Sequence, residues 1–207
     1  GDAPAAPADG LDGVWTTLLN FEAVAQFYSD GLSANATEKG LAAIEAFDET
    51  TMHPGLDCIP FTAPTMMLSP DIKRIRTAGD KILIAGEFDG VERTIHMDFD
   101  SHEGVARSLQ GHSIGRWEGD TLVIESARFA DHAAGTGFGV PSGGRKTLTE
   151  RLSLDEARTS LTYAFELSDP DYIKNPMSGE AKWVHTPSVT FAPLPCDLEN
   201  ARRFIND

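Results

Sequence analysis

From about residue 65 onward, polar and apolar positions alternate with a period of two, the pattern of strands that bury one face. Residues 72–77 and 81–88 are two such runs, separated by Ala78-Gly79-Asp80. Asp89-Gly90 is a strong hairpin dipeptide and leads into a third run, 91–99. Glu118-Gly119-Asp120 joins a run ending at Trp117 to residues 121–126, and Asp155-Glu156-Ala157-Arg158 joins 146–154 to 160–168. Residues 183–186 and 188–191 close the series. About eight strands linked mostly by hairpins predict a mainly β protein, an antiparallel up-and-down barrel of the lipocalin-like kind. There is no βαβ rhythm, so a parallel dinucleotide-binding sheet is not expected.

Residues 14–50 read differently. They lack proline and carry helical spacing: Asn35 is placed to cap a helix with Glu38 closing a capping box, and Leu41, Ile44 and Phe47 then share a face. Residues 18–28 suggest an earlier helix. A proline-rich loop with Pro54, Pro60, Pro64 and Cys58 comes next. The expected organisation is a leader over residues 1–12 and a single barrel domain over 13–207, with one or two helices in its 14–50 segment. Gly13-Val14-Trp15 matches the short G-x-W that opens the first strand of lipocalins, a pattern too brief to decide anything alone. Residues 130–145 hold Gly135, Gly137, Gly139, Gly143 and Gly144. Such a loop inside a β-domain is either a lid over the barrel mouth or a surface excursion. Its end reads G-V-P-S-G-G-R-K-T from Gly139 to Thr147, which fails as a phosphate loop because Arg145 takes the lysine position and a strand pattern succeeds it.

Charge narrows the partners. The 207 residues include 17 Lys and Arg against 32 Asp and Glu, a net charge of −15. Nucleic acid binding needs clustered cations, and anionic membranes repel such a chain. No apolar run approaches the roughly 18 residues of a membrane helix, so no membrane insertion is expected. A small-molecule substrate or ligand is the remaining class of partner; the oligomeric state is not readable. The opening Gly1-Asp2-Ala3-Pro4-Ala5-Ala6-Pro7 resembles the start of a mature chain after removal of a secretory signal, or a trimmed start. Cys58 and Cys196 read as one disulfide in an oxidising compartment, with two reduced buried thiols as the alternative.

Strand alternation sorts the candidate chemistry by face. In 91–99, Arg93 shares a face with Val91, Ile95, Met97 and Phe99, while His96 and Asp98 project together from the other, where the carboxylate can orient the imidazole. In 111–120, His112, Ile114 and Arg116 face one way and Ser113 and Trp117 the other. Glu150 lies on the apolar face of its strand with Leu148, Leu152 and Leu154. It is either the partner of Arg93 in a buried ion pair or an acid with a raised pKa. Tyr163 sits with Leu161, Phe165 and Leu167, as core or with its hydroxyl in a pocket. His96, Asp98 and His112, with Asp131-His132 as the extra ligand, are also the candidates for a metal, although no HxH or HExxH spacing supports one.

Arg93-Thr94-Ile95-His96-Met97-Asp98 and Gly111-His112-Ser113-Ile114-Gly115-Arg116-Trp117-Glu118-Gly119-Asp120-Thr121-Leu122-Val123 resemble a family of uncharacterised bacterial exported proteins. Its pattern is R-T-I-H-x-D and then G-H-S-x-G-x-W-E-G-D-T-L-V-V. The resemblance extends to Cys58-Ile59-Pro60, Glu150-Arg151, Asp169-Pro170 and Cys196, and departs after Phe129. It implies an exported β-rich domain, periplasmic or secreted, and no established activity.

Together these features predict a cofactor-free acid–base enzyme of the lyase, hydratase or isomerase kind, acting on a small apolar or aromatic substrate inside the barrel. His96 or His112 would abstract the proton, oriented by Asp98. Trp117 and Tyr163 would line the pocket, with Ser113, Glu150 and His132 as further substrate contacts, and Arg93 or Arg116 would hold an anionic group. The alternatives are a non-catalytic lipocalin-like carrier and a metal-dependent hydrolase.

Overall fold

The computed structural model describes residues 10–18, 31–137 and 139–203. Its strands are β1 (Gly13–Leu18), β2 (Ile72–Ala78), β3 (Lys81–Gly86), β4 (Glu92–His96), β5 (His112–Glu118), β6 (Thr121–Ala127), β7 (His132–Gly137), β8 (Val140–Ser142), β9 (Thr147–Leu154), β10 (Ser160–Ser168) and β11 (Met177–His185). Short helices α1 (Ser33–Asn35), α2 (Glu38–Ala46), α3 (Glu49–Met52) and α4 (Thr65–Leu68) separate β1 from β2, and α5 (Leu198–Ala201) lies near the end. Nine strands close into a barrel in the order β1-β11-β10-β9-β6-β5-β4-β3-β2, and β7 and β8 form a separate hairpin between β6 and β9. The mainly β, lipocalin-like class read from the alternation is the observed one.

Strand direction cannot alternate all the way round a closed ring of nine. One neighbouring pair must be parallel, and it is β4 with β5, registered at Ile95↔Ser113 and His96↔Ile114. The 97–111 connection carries the chain back across the outside between them. This is the one departure from a pure up-and-down order.

Other boundaries differ from the sequence reading for local reasons. Residues 14–18, expected within the helical segment, belong to β1, which pairs with both β2 and β11 and so closes the barrel. Trp15, Thr16 and Thr17 suit a strand by their β-branched and aromatic side chains. Gly13 opens that strand, in keeping with the G-x-W pattern. The helix expected over 18–28 falls, beyond Leu18, outside the described residues, as does most of the 1–12 leader. The cap of α2 is Thr37, whose Oγ1 accepts the Gly40 N–H at 3.0 Å, while Asn35 reaches across to residue 175. The run 91–99 ends as a strand at His96, and the last strand starts at Met177, leaving 188–191 without one.

Antiparallel pairing puts the ends of β1, β3, β6 and β10 at the same end of the barrel as the starts of β2, β4, β5, β9 and β11. The interior divides along this axis. Toward the opposite end it is filled by Leu11, Trp15, Ile82, Ile95, Trp117, Leu122, Leu152 and Leu161, all buried. Toward the first end the buried side chains include Thr17, Asp71, Lys73, Arg93, Ser113, Ser126, Lys146 and Asp169. The barrel therefore has an apolar floor and a polar mouth. The β7–β8 hairpin and the 59–68 segment lie across that mouth: Thr62 bonds the Gly135 carbonyl and Thr65 the Thr136 carbonyl. Cys58 and Cys196 form a disulfide that ties this segment to the C-terminal stretch. Among the described residues no helix is long and apolar enough to cross a membrane.

Candidate active site

Arg93 and Glu150 form the buried ion pair that their apolar faces require. Arg93 Nη1 donates to Glu150 Oε1 at 2.8 Å and Nη2 to Oε2, and the carboxylate is fully buried. Nε and Nη2 also donate to Ser113 Oγ (3.2 and 3.0 Å), and Nη2 to Ser126 Oγ (2.8 Å). Tyr163 Oη donates to Glu150 Oε1 at 2.8 Å and its ring stacks on Phe165 and Trp183. Burial alone would lower Arg93, but the charge and hydrogen bonds of Glu150 outweigh it and hold the guanidinium above its ordinary value. A guanidinium engaged in this way anchors the barrel wall and has little donor capacity left for a substrate. Trp117 is also interior, opposite Leu122 in the apolar half.

The histidines lie elsewhere. Because Arg93 and Ile95 point into the barrel, His96 points out; because Ser113 and Trp117 point in, His112 points out. The two rings meet, with centroids 4.9 Å apart, on the outer wall between the parallel strands. Phe99 and His102 from the 97–111 connection complete the cluster, and the His102 and His112 Nδ1 atoms are 2.9 Å apart in a hydrogen bond. Burial, then the neighbouring His96 and His102, keep His112 below its ordinary value. The strand ends before Asp98, which is exposed and makes no bond to His96; His96 Nδ1 is buried without a partner. Arg116 is on the outer surface too, paired with Glu118 and Glu125 at 3.1 Å each. The acid–base unit read from the sequence is thus an outer-wall aromatic cluster, separated from the interior by the strands themselves. Among the described residues no group of three or more His, Cys, Asp or Glu side chains is arranged to hold a metal ion.

The chemistry that sequence reading missed sits at the mouth. Lys146 immediately precedes β9 and is 1% exposed. Its Nζ donates to Thr62 Oγ1 at 2.9 Å and lies 4.5 Å from the centre of the Phe129 ring. Among the described residues no carboxylate comes within ion-pair distance, so burial pushes it down to about 7, with Asp169 and Glu150 only partly opposing and Arg93 adding to the fall. Asp169, just after β10, is equally buried. Its Oδ2 accepts the Gly143 N–H at 2.7 Å and its Oδ1 has no partner, and burial raises its pKa. Gly143 makes this approach possible: a Cβ there would lie 2.6 Å from Asp169 Oδ1. Ser142 Oγ, next along the hairpin, is buried and unpartnered as well. His132 opens β7 opposite Ser142 and is half-buried, which lowers it.

No family model matches this sequence, and no curated protein does. The site must be read from its own geometry. Lys146 was legible in principle: it shares parity with Leu148, Glu150, Leu152 and Leu154, so the alternation that singled out Glu150 applies equally two periods of the pleat earlier. Lys73, on the parity of Ile75, is the second interior lysine that the same rule reaches; it is paired with Asp71.

Proposed function

We propose that the protein is a cofactor-independent acid–base enzyme, of the lyase, hydratase or isomerase kind, that takes a small and largely apolar substrate at the polar mouth of its barrel. The proton-transfer groups in this reading are Lys146 and Asp169 in place of His96 and His112, which the strands turn outward. One observation carries it: a buried lysine and a buried carboxyl group face the same closed end, neither of them ion-paired among the described residues. Their environments push the two toward each other. A lysine at about 7 is a substantial fraction neutral amine at neutral pH, and a carboxyl group raised by burial retains its proton more readily. That is the division into base and acid that proton transfer at neutral pH needs. Arg93, Glu150 and Tyr163 hold the walls, and the β7–β8 hairpin covers the site from water. Export to the periplasm or beyond fits the Cys58–Cys196 disulfide, and agrees with the motif resemblance.

The test is exchange of carbon-bound protons for deuterium in a panel of small enolisable ketones and aromatic enoic acids, monitored by NMR. The expected result is exchange by the wild-type protein that falls about 10²–10⁴-fold in Lys146→Met. Absence of exchange across the panel, with an apolar compound retained in native mass spectrometry, would assign the barrel to carriage.

A further inference from the structure

The two buried lysines of this barrel are wired in opposite ways. Lys73 Nζ donates to the Asp71 carboxylate, to the Ser69 carbonyl at 2.9 Å and to the Asp71 carbonyl at 3.4 Å. Its donors are all spent on the protein, as a structural ammonium requires. Lys146 has one hydrogen-bond partner among the described residues, Thr62 Oγ1. That hydroxyl gives its own proton to the Gly135 carbonyl, so it accepts from Lys146 and cannot donate to it. Among the described residues a neutral Lys146 amine therefore has no hydrogen-bond partner for its lone pair or for one further N–H, beside the face of the Phe129 ring. On the same side of the barrel Asp169 Oδ1 and Ser142 Oγ are buried without partners, an acceptor and a hydroxyl that the fold leaves unsatisfied. Orphaned polar groups at the same end of the barrel as an amine with one hydrogen-bond partner are what a polar ligand entering the mouth would satisfy.

We propose that Lys146 is an amine nucleophile that condenses with the carbonyl carbon of a small aldehyde or ketone, with Asp169 carrying the protons. The inference rests on the acid–base reading above and names its substrate class. The nitrogen lone pair forms the N–C bond while the carbonyl π pair moves onto oxygen, which takes the proton of Asp169. The nitrogen then returns a proton to the carboxylate. The hydroxyl leaves as water with that proton, and the N=C bond of a protonated imine forms. No oxidant, reductant or co-reactant is needed. Ser142 Oγ is available to hold the departing oxygen. At neutral pH a substantial fraction of Lys146 is in the reactive neutral form, against well under 1% of an ordinary surface lysine.

Reductive trapping tests this on the full chain. The protein is incubated near neutral pH with benzaldehyde, and separately with the smaller acetaldehyde, in the presence of sodium cyanoborohydride, and each lysine is then quantified by peptide mass spectrometry. The expected result is alkylation of Lys146 at least about tenfold faster than that of the exposed Lys39, Lys81, Lys174 and Lys182, with the equally buried Lys73 unmodified. Lys146→Arg should remove the fast site while the circular dichroism stays native. Labelling confined to the exposed lysines with both aldehydes overturns the proposal. The two readings fail separately. Alkylated Lys146 without isotope exchange leaves the nucleophile and removes the acid–base enzyme. Exchange that depends on Lys146 without alkylation leaves a base and removes the imine.

Discussion

Lys146→Met isolates the energetic consequence of an unpaired buried lysine. The unfolded chain holds this amine near its ordinary value of 10.5, and the fold pushes it down to about 7. Where both states are protonated, below about pH 7, carrying the charge into the barrel costs up to about 5 kcal/mol, and local relaxation brings the expected figure to about 2–5 kcal/mol. Methionine nearly matches the lysine stem in length and bulk, so the change removes the charge without opening a large cavity. The lost bond to Thr62 returns about 1 kcal/mol at most. Lys146→Met should therefore be more stable than wild type near pH 6. The pH dependence comes from proton counts. Between about pH 7 and 10.5 the unfolded chain binds the Lys146 proton and the folded one does not, so wild-type stability rises with pH over that window and the advantage of the variant shrinks. Urea denaturation near pH 6, 8 and 9.5 measures it, with an expected midpoint increase of about 1–2 M at the lowest pH and an unchanged slope. A variant less stable than wild type near pH 6, or a stability gap that does not move with pH, would refute the reasoning. The gain in stability should coincide with loss of function, as happens when an active site is held strained.

Three further outcomes rest on the same geometry. Glu150→Ala strands the Arg93 guanidinium in the core and should cost about 3–5 kcal/mol, whereas replacing Arg93 and Glu150 together by Met and Leu should cost much less, as chemical denaturation of the two variants will show. Replacing Cys58 and Cys196 by serine opens a loop with a sequence separation of 138 residues and should lower stability by about 2–5 kcal/mol, measured against the oxidised protein in the same denaturant series. His112 is held below its ordinary value, so the folded state binds fewer protons there than the unfolded chain as pH falls through about 6.5. Amide-exchange protection of residues 97–111 should decrease in that range, and His112→Phe should flatten the decrease.

The floor of the barrel shows how much local patterning decides. Leu152 and Leu161 announce their inward faces by alternation alone, and the turns at Gly79, Gly90 and Gly119 sit where dipeptide chemistry puts them, each with a positive φ. The Arg93–Glu150 pair is legible for the same reason, because a charged residue on an apolar face must find a partner. β1 was not legible: six residues that pair on both sides gain their stability from β2 and β11, which are distant in the chain. Nor was the hairpin of β7 and β8, whose glycines conceal the period of two.

The histidines show where local information ends. Sequence fixes that His96 opposes Arg93 and that His112 opposes Ser113, because successive side chains on a strand point to opposite sides. Along β4 the apolar face of Val91, Ile95 and Met97 already marks the inside and turns His96 outward; in β5 both faces mix polar and apolar groups, and there the parity is settled by closure of the ring. The meeting of Lys146 with Thr62, Phe129 and Asp169 is likewise a product of closure. These groups come from four separate stretches of chain, and no spacing rule relates them. The sequence by itself determined most of the barrel strands, the turns between them and the cysteines available to pair. Only the tertiary structure decided which polar groups would be buried together, because burial depends on what the far side of the barrel brings into contact.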